Sequence, residues 1–214
     1  EDKLKAGGSW VFDGGVHIAD LDRYHLGREA IEVYAKSKIF EPMKDGVKTT
    51  VDDATLAIIE YEGGIYSQWS WSRIAPGFPL NIRVIYGSRG SIYMPGLTNF
   101  PSGHVRIQMD GYVEERSISS IRGEALKAVG SDILEEMFPR GVTDSFAIEL
   151  YDFYKAIMYG RKPEVDGVEA YKDMAIPLAF YESSILDKPV KVRDVEELRV
   201  EEYQAEINEY LGLK

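Results

Sequence analysis

Hydrophobic and polar positions along the chain divide it into segments of helical and of alternating period. Over residues 16–26, Val16, Leu21 and Tyr24 supply an apolar stripe and Gly27 a C-terminal cap, which predicts a helix. Residues 31–40 and 55–61 are β-branched and aromatic, and Gly63-Gly64 before Ile65 signals a hairpin. Residues 65–73 alternate, with Ser67, Trp69 and Trp71 on one side and Tyr66, Gln68 and Ser70 on the other. Strands over 81–86 and 90–94 flank the turn Gly87-Ser88-Arg89, and strands over 104–109 and 112–118 meet at Asp110-Gly111. Residues 119–141 show no clear period and read as a long loop with a helical turn.

The helical period then returns. Phe146, Leu150, Phe153 and Ile157 recur behind a Thr143-Asp144 start, and Gly160 ends the run. Asp166 and Glu169 form a capping-box pattern for a helix reaching Ile185, with Pro177 expected to kink it. A short strand over 189–192 closes the pattern. The predicted architecture is α+β, a mostly antiparallel open sheet of about five to seven strands with helices mainly on one face. Residues 1–192 are expected to form one α+β domain. The acidic segment 193–214, with Tyr203, Ile207, Tyr210 and Leu211 at helical spacing, is expected as a tail helix packed on it.

Composition narrows the partners. At 214 residues, 44% hydrophobic and 29% charged, the chain can bury a sizeable core. Its formal charge of −11 has the wrong sign for nucleic acid or an anionic membrane face. Absence of cysteine excludes a disulfide scaffold, a thiolate metal centre and a Cys nucleophile, and fits a cytoplasmic address. No apolar run is long enough to span a bilayer, and the opening residues show no signal peptide. The chain starts Glu1-Asp2-Lys3 rather than with Met, so a processed, trimmed or excised polypeptide is expected.

The densest polar cluster is Phe12-Asp13-Gly14-Gly15-Val16-His17-Ile18-Ala19-Asp20. It puts Asp13 at the mouth of the first helix and His17 one turn further along the same face. A carboxylate beside an imidazole can fix its tautomer and leave the second nitrogen to exchange a proton with a substrate hydroxyl. The plainer reading makes Asp13 an N-cap and His17 an ordinary helix residue. Asp20, Asp22 and His25 would complete a metal set, but residues 17, 22 and 25 point in different directions on a helix, so no metal is expected. His25 reads as a cation at the helix C-terminus and His104 as structural. Trp10 and Arg73 are candidates for stacking on a substrate ring and pairing with a polar substituent; a core Trp and a solvated Arg are the alternatives.

The segment from Gly7-Gly8-Ser9 through Asp13, His17 and Asp20 resembles the "GGG-x-x-x-D-x-G-x-H-x-x-D" stretch of the glucose-fructose oxidoreductase, inositol dehydrogenase and MocA family. Further landmarks recur in order. Asp53-Ala54-Thr55 leads into Gly63-Gly64, and Val84-Ile85-Tyr86-Gly87 runs on to Gly90-Ser91-Ile92. Ala156-Ile157 precedes Gly160-Arg161-Lys162-Pro163, and Val165-Asp166-Gly167 is followed by Ala179-Phe180-Tyr181-Glu182-Ser183 and Pro189-Val190. The resemblance covers about residues 7 to 192.

What it implies is the C-terminal half of a two-domain oxidoreductase in which hydride moves between NAD or NADP and a hydroxyl-bearing carbon of a sugar or cyclitol. His17 becomes the acid/base residue and Asp13 its orienting or substrate-binding carboxylate. The family's catalytic lysine stands in the first domain, so Asp187-Lys188-Pro189 and Arg161-Lys162-Pro163 are decoys. No Gly-x-Gly-x-x-Gly and no leading βαβ unit are present, so cofactor would be bound mainly by a domain absent from this chain. A homo-oligomer, or association with a separate Rossmann-domain chain, is the expected assembly. The second function class is a non-enzymatic oligomerisation or scaffold module with an idle Asp13/His17 pair. In it the face bearing Trp69 and Trp71 would be an exposed dimer surface rather than core.

Overall fold

A computed structural model of the chain describes residues 2–74, 81–95 and 103–213, which divide into two units, Glu1–Pro76 with Val165–Lys214, and Gly77–Glu164. The fold is α+β with antiparallel sheets, as the pattern predicted. In place of one five- to seven-stranded sheet, each unit has its own four-stranded sheet.

The first unit opens with two short helices, α1 (Lys3–Ala6) and α2 (Trp10–Asp13), followed by α3 (Gly15–Leu26). Strand β1 (Ala30–Lys38), a small ribbon of β2 (Met43–Lys44) and β3 (Val47–Lys48), then β4 (Ala54–Tyr61) and β5 (Ile65–Ser72) follow. In the second unit, β6 (Ile82–Gly87), β7 (Gly90–Pro95), β8 (His104–Met109) and β9 (Tyr112–Ser117) form a meander in sequence order. Helices α4 (Ile118–Ala128), α5 (Ser131–Met137) and α6 (Ser145–Tyr159) complete it. The chain returns to the first unit as α7 (Gly167–Leu186), β10 (Val190–Lys191), α8 (Val192–Glu196) and α9 (Ala205–Tyr210).

Sheet order in the first unit is β10-β1-β4-β5. Alternation decides its faces: Val33, Ala35, Ala57, Ile59 and Tyr61 point inward against Ile176, Ala179 and Phe180 of α7. Trp69 meets the Phe180 ring edge-on at 5.1 Å, so the face bearing Trp69 and Trp71 packs under a helix and is not an open dimer surface.

Strand β10 is too short to cover the outer edge of β1. It pairs only at Glu32↔Lys191 and Val33↔Val190. Two serines of α7 take over where it stops: Ala35 N–H donates to Ser183 Oγ at 3.0 Å and Ser37 N–H to Ser184 Oγ at 2.8 Å. Side chains thus satisfy backbone donors that a longer strand would have paired.

Several expectations change. Residues 119–141, read as a loop, form α4, α5 and a 3₁₀ turn (Pro139–Gly141). Neither helix buries a residue, and Glu124-Ala125-Leu126-Lys127-Ala128 favours the helix by propensity. Helix α3 has the predicted span and its Gly27 cap, but Tyr24 of the expected stripe is exposed and the buried positions are Gly15, Ala19, Asp22 and Arg23. Helix α6 is capped by Asp144 and Gly160 as expected, yet Phe146, Leu150, Phe153 and Ile157 all stand exposed. In the tail, Tyr203 and Ile207 are buried whereas Tyr210 and Leu211 are not. Asp166 caps α7 as expected, but the Glu169 carboxylate reaches Arg23.

Candidate active site

The glycine segment and β5 build one hollow in the first unit. Its lining comprises Gly8, Ser9, Trp10, Asp13, Trp71 and Arg73 with Ala6 and Val51, and its volume is about 470 Å³. Three of the four residues proposed from sequence therefore converge here: Trp10 and Asp13 from α2, and Arg73 from the end of β5. His17 is exposed in the first turn of α3 and does not line the hollow. No hydrogen bond or ion pair joins Asp13 to His17 among the described residues.

The apolar wall is a pair of indoles. Trp10 stacks on Trp71 with centroids 5.7 Å apart and planes 12° from parallel. Gly14 makes room for it: a Cβ there would lie 2.4 Å from the Trp10 Nε1. Arg73 is set by backbone, its N–H donating to the Asp53 carbonyl at 2.9 Å. Asp53 is fully buried and its carboxylate accepts the N–H groups of Phe40 and Glu41. The Asp53-Ala54-Thr55 landmark thus ties the chain after β1 to the strand end that presents Arg73.

Ser9 connects the hollow to the core. Its side chain caps α2 by accepting Val11 N–H, and its own N–H donates to the Tyr181 hydroxyl at 2.9 Å. Burial pushes the Tyr181 phenol far above its ordinary range and keeps it protonated. Gly8 is pressed against the same hydroxyl, which would be 2.7 Å from a Cβ at that position.

Helix α3, which carries His17, is pinned by two buried polar residues. The Asp22 carboxylate accepts from Trp69 Nε1 at 3.0 Å and Ser67 Oγ at 3.1 Å, both on β5. Arg23 ion-pairs with Glu29, Glu169 and Asp173 at 2.9, 2.6 and 2.6 Å. Burial opposes the Arg23 charge, but hydrogen bonds to Glu29, Asp173 and Glu169 outweigh it and hold its pKa above the ordinary value.

Sequence reasoning missed Trp71 and Ser9 as walls of the hollow and Tyr181 behind them. Their partners lie 61 and 172 residues away, so no local spacing shows them. Among the described residues no group of three or more His, Cys, Asp and Glu could hold a metal ion. Every strand pair among them is antiparallel, so they contain no parallel strand, glycine turn and helix of the kind that holds a dinucleotide pyrophosphate. No helix among them is long and apolar enough to cross a membrane.

Residues 1–93 match the GFO/IDH/MocA C-terminal domain. The scyllo-inositol 2-dehydrogenase (NAD(+)) of Bacillus subtilis is 26% identical over 190 residues, covering 88% of this chain and 49% of that protein. The myo-inositol 2-dehydrogenase of Thermotoga maritima is 24% identical, with 91% and 52% covered. Among solved structures, the aldose-aldose oxidoreductase of Caulobacter crescentus complexed with glycerol superposes with a TM-score of 0.66 at 20% identity, covering 89% of this chain and 49% of that one. The chain spans about half the length of the curated relatives it matches.

Proposed function

We propose that the chain is the substrate-binding and catalytic half of an NAD- or NADP-dependent oxidoreductase acting at a hydroxyl-bearing carbon of a sugar or cyclitol. The observation that carries this reading is the convergence of Trp10, Asp13 and Arg73 on one hollow, in a domain whose relatives include inositol dehydrogenases. In this reading the indole pair offers an apolar surface to the ring C–H groups, while Arg73 and Asp13 bind hydroxyls. His17, a turn beyond Asp13, exchanges the hydroxyl proton. The dinucleotide is held by polypeptide other than the described residues, which the absence of a parallel βα unit among them supports. The cysteine-free sequence supports a cytoplasmic site of action.

The test has two arms. Titration calorimetry of this chain alone with NAD and with NADP is expected to show no tight binding, and the chain alone no dehydrogenase activity. In enzyme completed by a dinucleotide-binding domain, Asp13→Ala and His17→Ala should each lower turnover by roughly 10²-fold at nearly unchanged cofactor affinity. Wild-type turnover in both variants would leave the pair idle and favour a scaffold module.

One observation supports self-association or docking of a separate Rossmann-domain chain. The outward face of β1 and β4 with β5 exposes Tyr34, Leu56, Ile58 and Tyr66 together. Light scattering on the purified chain, with and without such a domain, measures it.

A further inference from the structure

The Tyr181-Glu182 pair of α7 faces the acidic tail, and nothing in the proposed chemistry uses that contact. Tyr203 stacks on Tyr181 with centroids 4.2 Å apart and planes 12° from parallel. Its backbone N–H donates to Glu182 Oε1 at 3.0 Å, and both Tyr203 and Glu182 are buried. Lys3 of α1 lies over the Tyr203 ring at 4.2 Å and ion-pairs with Glu206 of α9 at 3.1 Å. The tail therefore grips both the helix behind Ser9 and the helix before Gly7.

What Tyr203 supports in turn is the start of α2. The Tyr181 hydroxyl takes the Ser9 N–H, and Ser9 caps α2 through Val11 N–H. Phe12 and Asp13 N–H both donate to the Ser9 carbonyl at 3.0 Å. A four-residue helix has almost no stability of its own, so the position of Ser9 decides where Trp10 and Asp13 sit.

We propose that Tyr203 is a positioning residue: stacked on Tyr181, it holds the hydroxyl that anchors Ser9, and so makes the C-terminal tail part of the Trp10–Asp13 site. That the segment is a substrate site rests on the function proposed above; the mechanical link from tail to segment does not.

Amide hydrogen exchange on the full 214-residue chain tests the link. The variants are Tyr203→Leu, which removes the ring, Tyr203→Phe, which keeps it, and Tyr181→Phe, which removes only the hydroxyl. Tyr203→Leu and Tyr181→Phe should speed exchange at Val11, Phe12, Asp13 and Gly14 by about tenfold beyond any change in the β4 amides. Tyr203→Phe should restore the parent rates. A residue that merely fills the core would move the α2 and β4 amides together, and that pattern in Tyr203→Leu and Tyr181→Phe overturns the proposal. If Tyr203→Leu does not fold, Tyr203→Met, which also removes the ring, takes its place and is read against Tyr181→Phe in the same way. Because exchange involves no substrate, failure here counts against this inference, whereas failure of the function is read in turnover.

Discussion

Arg23 and Asp173 meet at 2.6 Å with less than a tenth of either side chain exposed, joining α3 to α7 through the core. Glu29 and Glu169 complete the shell around the guanidinium, and Lys172 reaches Glu29 at 2.9 Å. Removal of the arginine would strand the Asp173 carboxylate, since burial already raises its pKa against the pull of Arg23. Arg23→Met should therefore cost about 3–5 kcal/mol in urea unfolding, and adding Asp173→Leu should recover much of that loss. An unshifted midpoint in Arg23→Met would refute the role of this pair.

Glu182 is 1% exposed; one carboxylate oxygen accepts Tyr203 N–H and the other has no hydrogen-bond partner among the described residues. Burial raises its pKa more than the backbone donors of Tyr203, Glu202 and Gln204 lower it. For an acid whose pKa is raised on folding, the cost is absent below its ordinary range and sets in as pH rises through the folded value. Glu182→Gln keeps an acceptor oxygen for Tyr203. Its Tm should match the parent's in acid and exceed it at neutral pH. A melting deficit of the same size at every pH would count against this.

Gly14→Ala should disturb the site while leaving Asp13 and Arg73 in the sequence unchanged. The new methyl group would overlap the Trp10 indole, which must then leave its stack on Trp71. Loss of near-UV circular dichroism from the indole pair is expected, together with a KM in the completed enzyme raised by roughly tenfold at little change in kcat. An unaltered near-UV spectrum would show that the ring has room to spare.

The serine caps on the β1 edge give a stability prediction. Ser183→Ala leaves the Ala35 N–H, in a residue with no exposed surface, without its acceptor. The expected loss is about 1–3 kcal/mol by denaturant titration. Ser184→Ala, acting on the part-buried Ser37 N–H, should cost less. Equal stability of Ser183→Ala and parent would mean that water reaches Ala35.

Much of this molecule was legible locally, because strands, turns and caps are decided by neighbours in sequence. Alternation over 65–73 put Ser67, Trp69 and Trp71 on one side of β5, and that side is the less exposed one in the fold. Asp110-Gly111 produced its two-residue hairpin, with φ of 50° and 80° and Met109 opposite Tyr112. Gly27 and Gly160 end their helices in the left-handed conformation. The Gly7–Asp20 stretch and its ordered landmarks resemble the family whose C-terminal domain matches residues 1–93, and Trp10, Asp13 and Arg73, candidates by residue type, share one hollow.

Tertiary structure decided which faces are covered and which distant groups meet. Tyr24 and Arg23 are adjacent on α3, and apolar periodicity favours burying the tyrosine; the fold buries the arginine because Glu169 and Asp173 of α7 neutralise it. Trp10 lines the hollow in stacked form because β5 brings Trp71 beside it, and Tyr181 became an anchor because α7 passes behind Ser9. Hydrogen bonds, ion pairs and ring stacks act over a few ångströms of space, whatever the separation along the chain. A pattern read within one segment therefore shows the groups that seek partners, and only the packing of segments shows which partner each one finds.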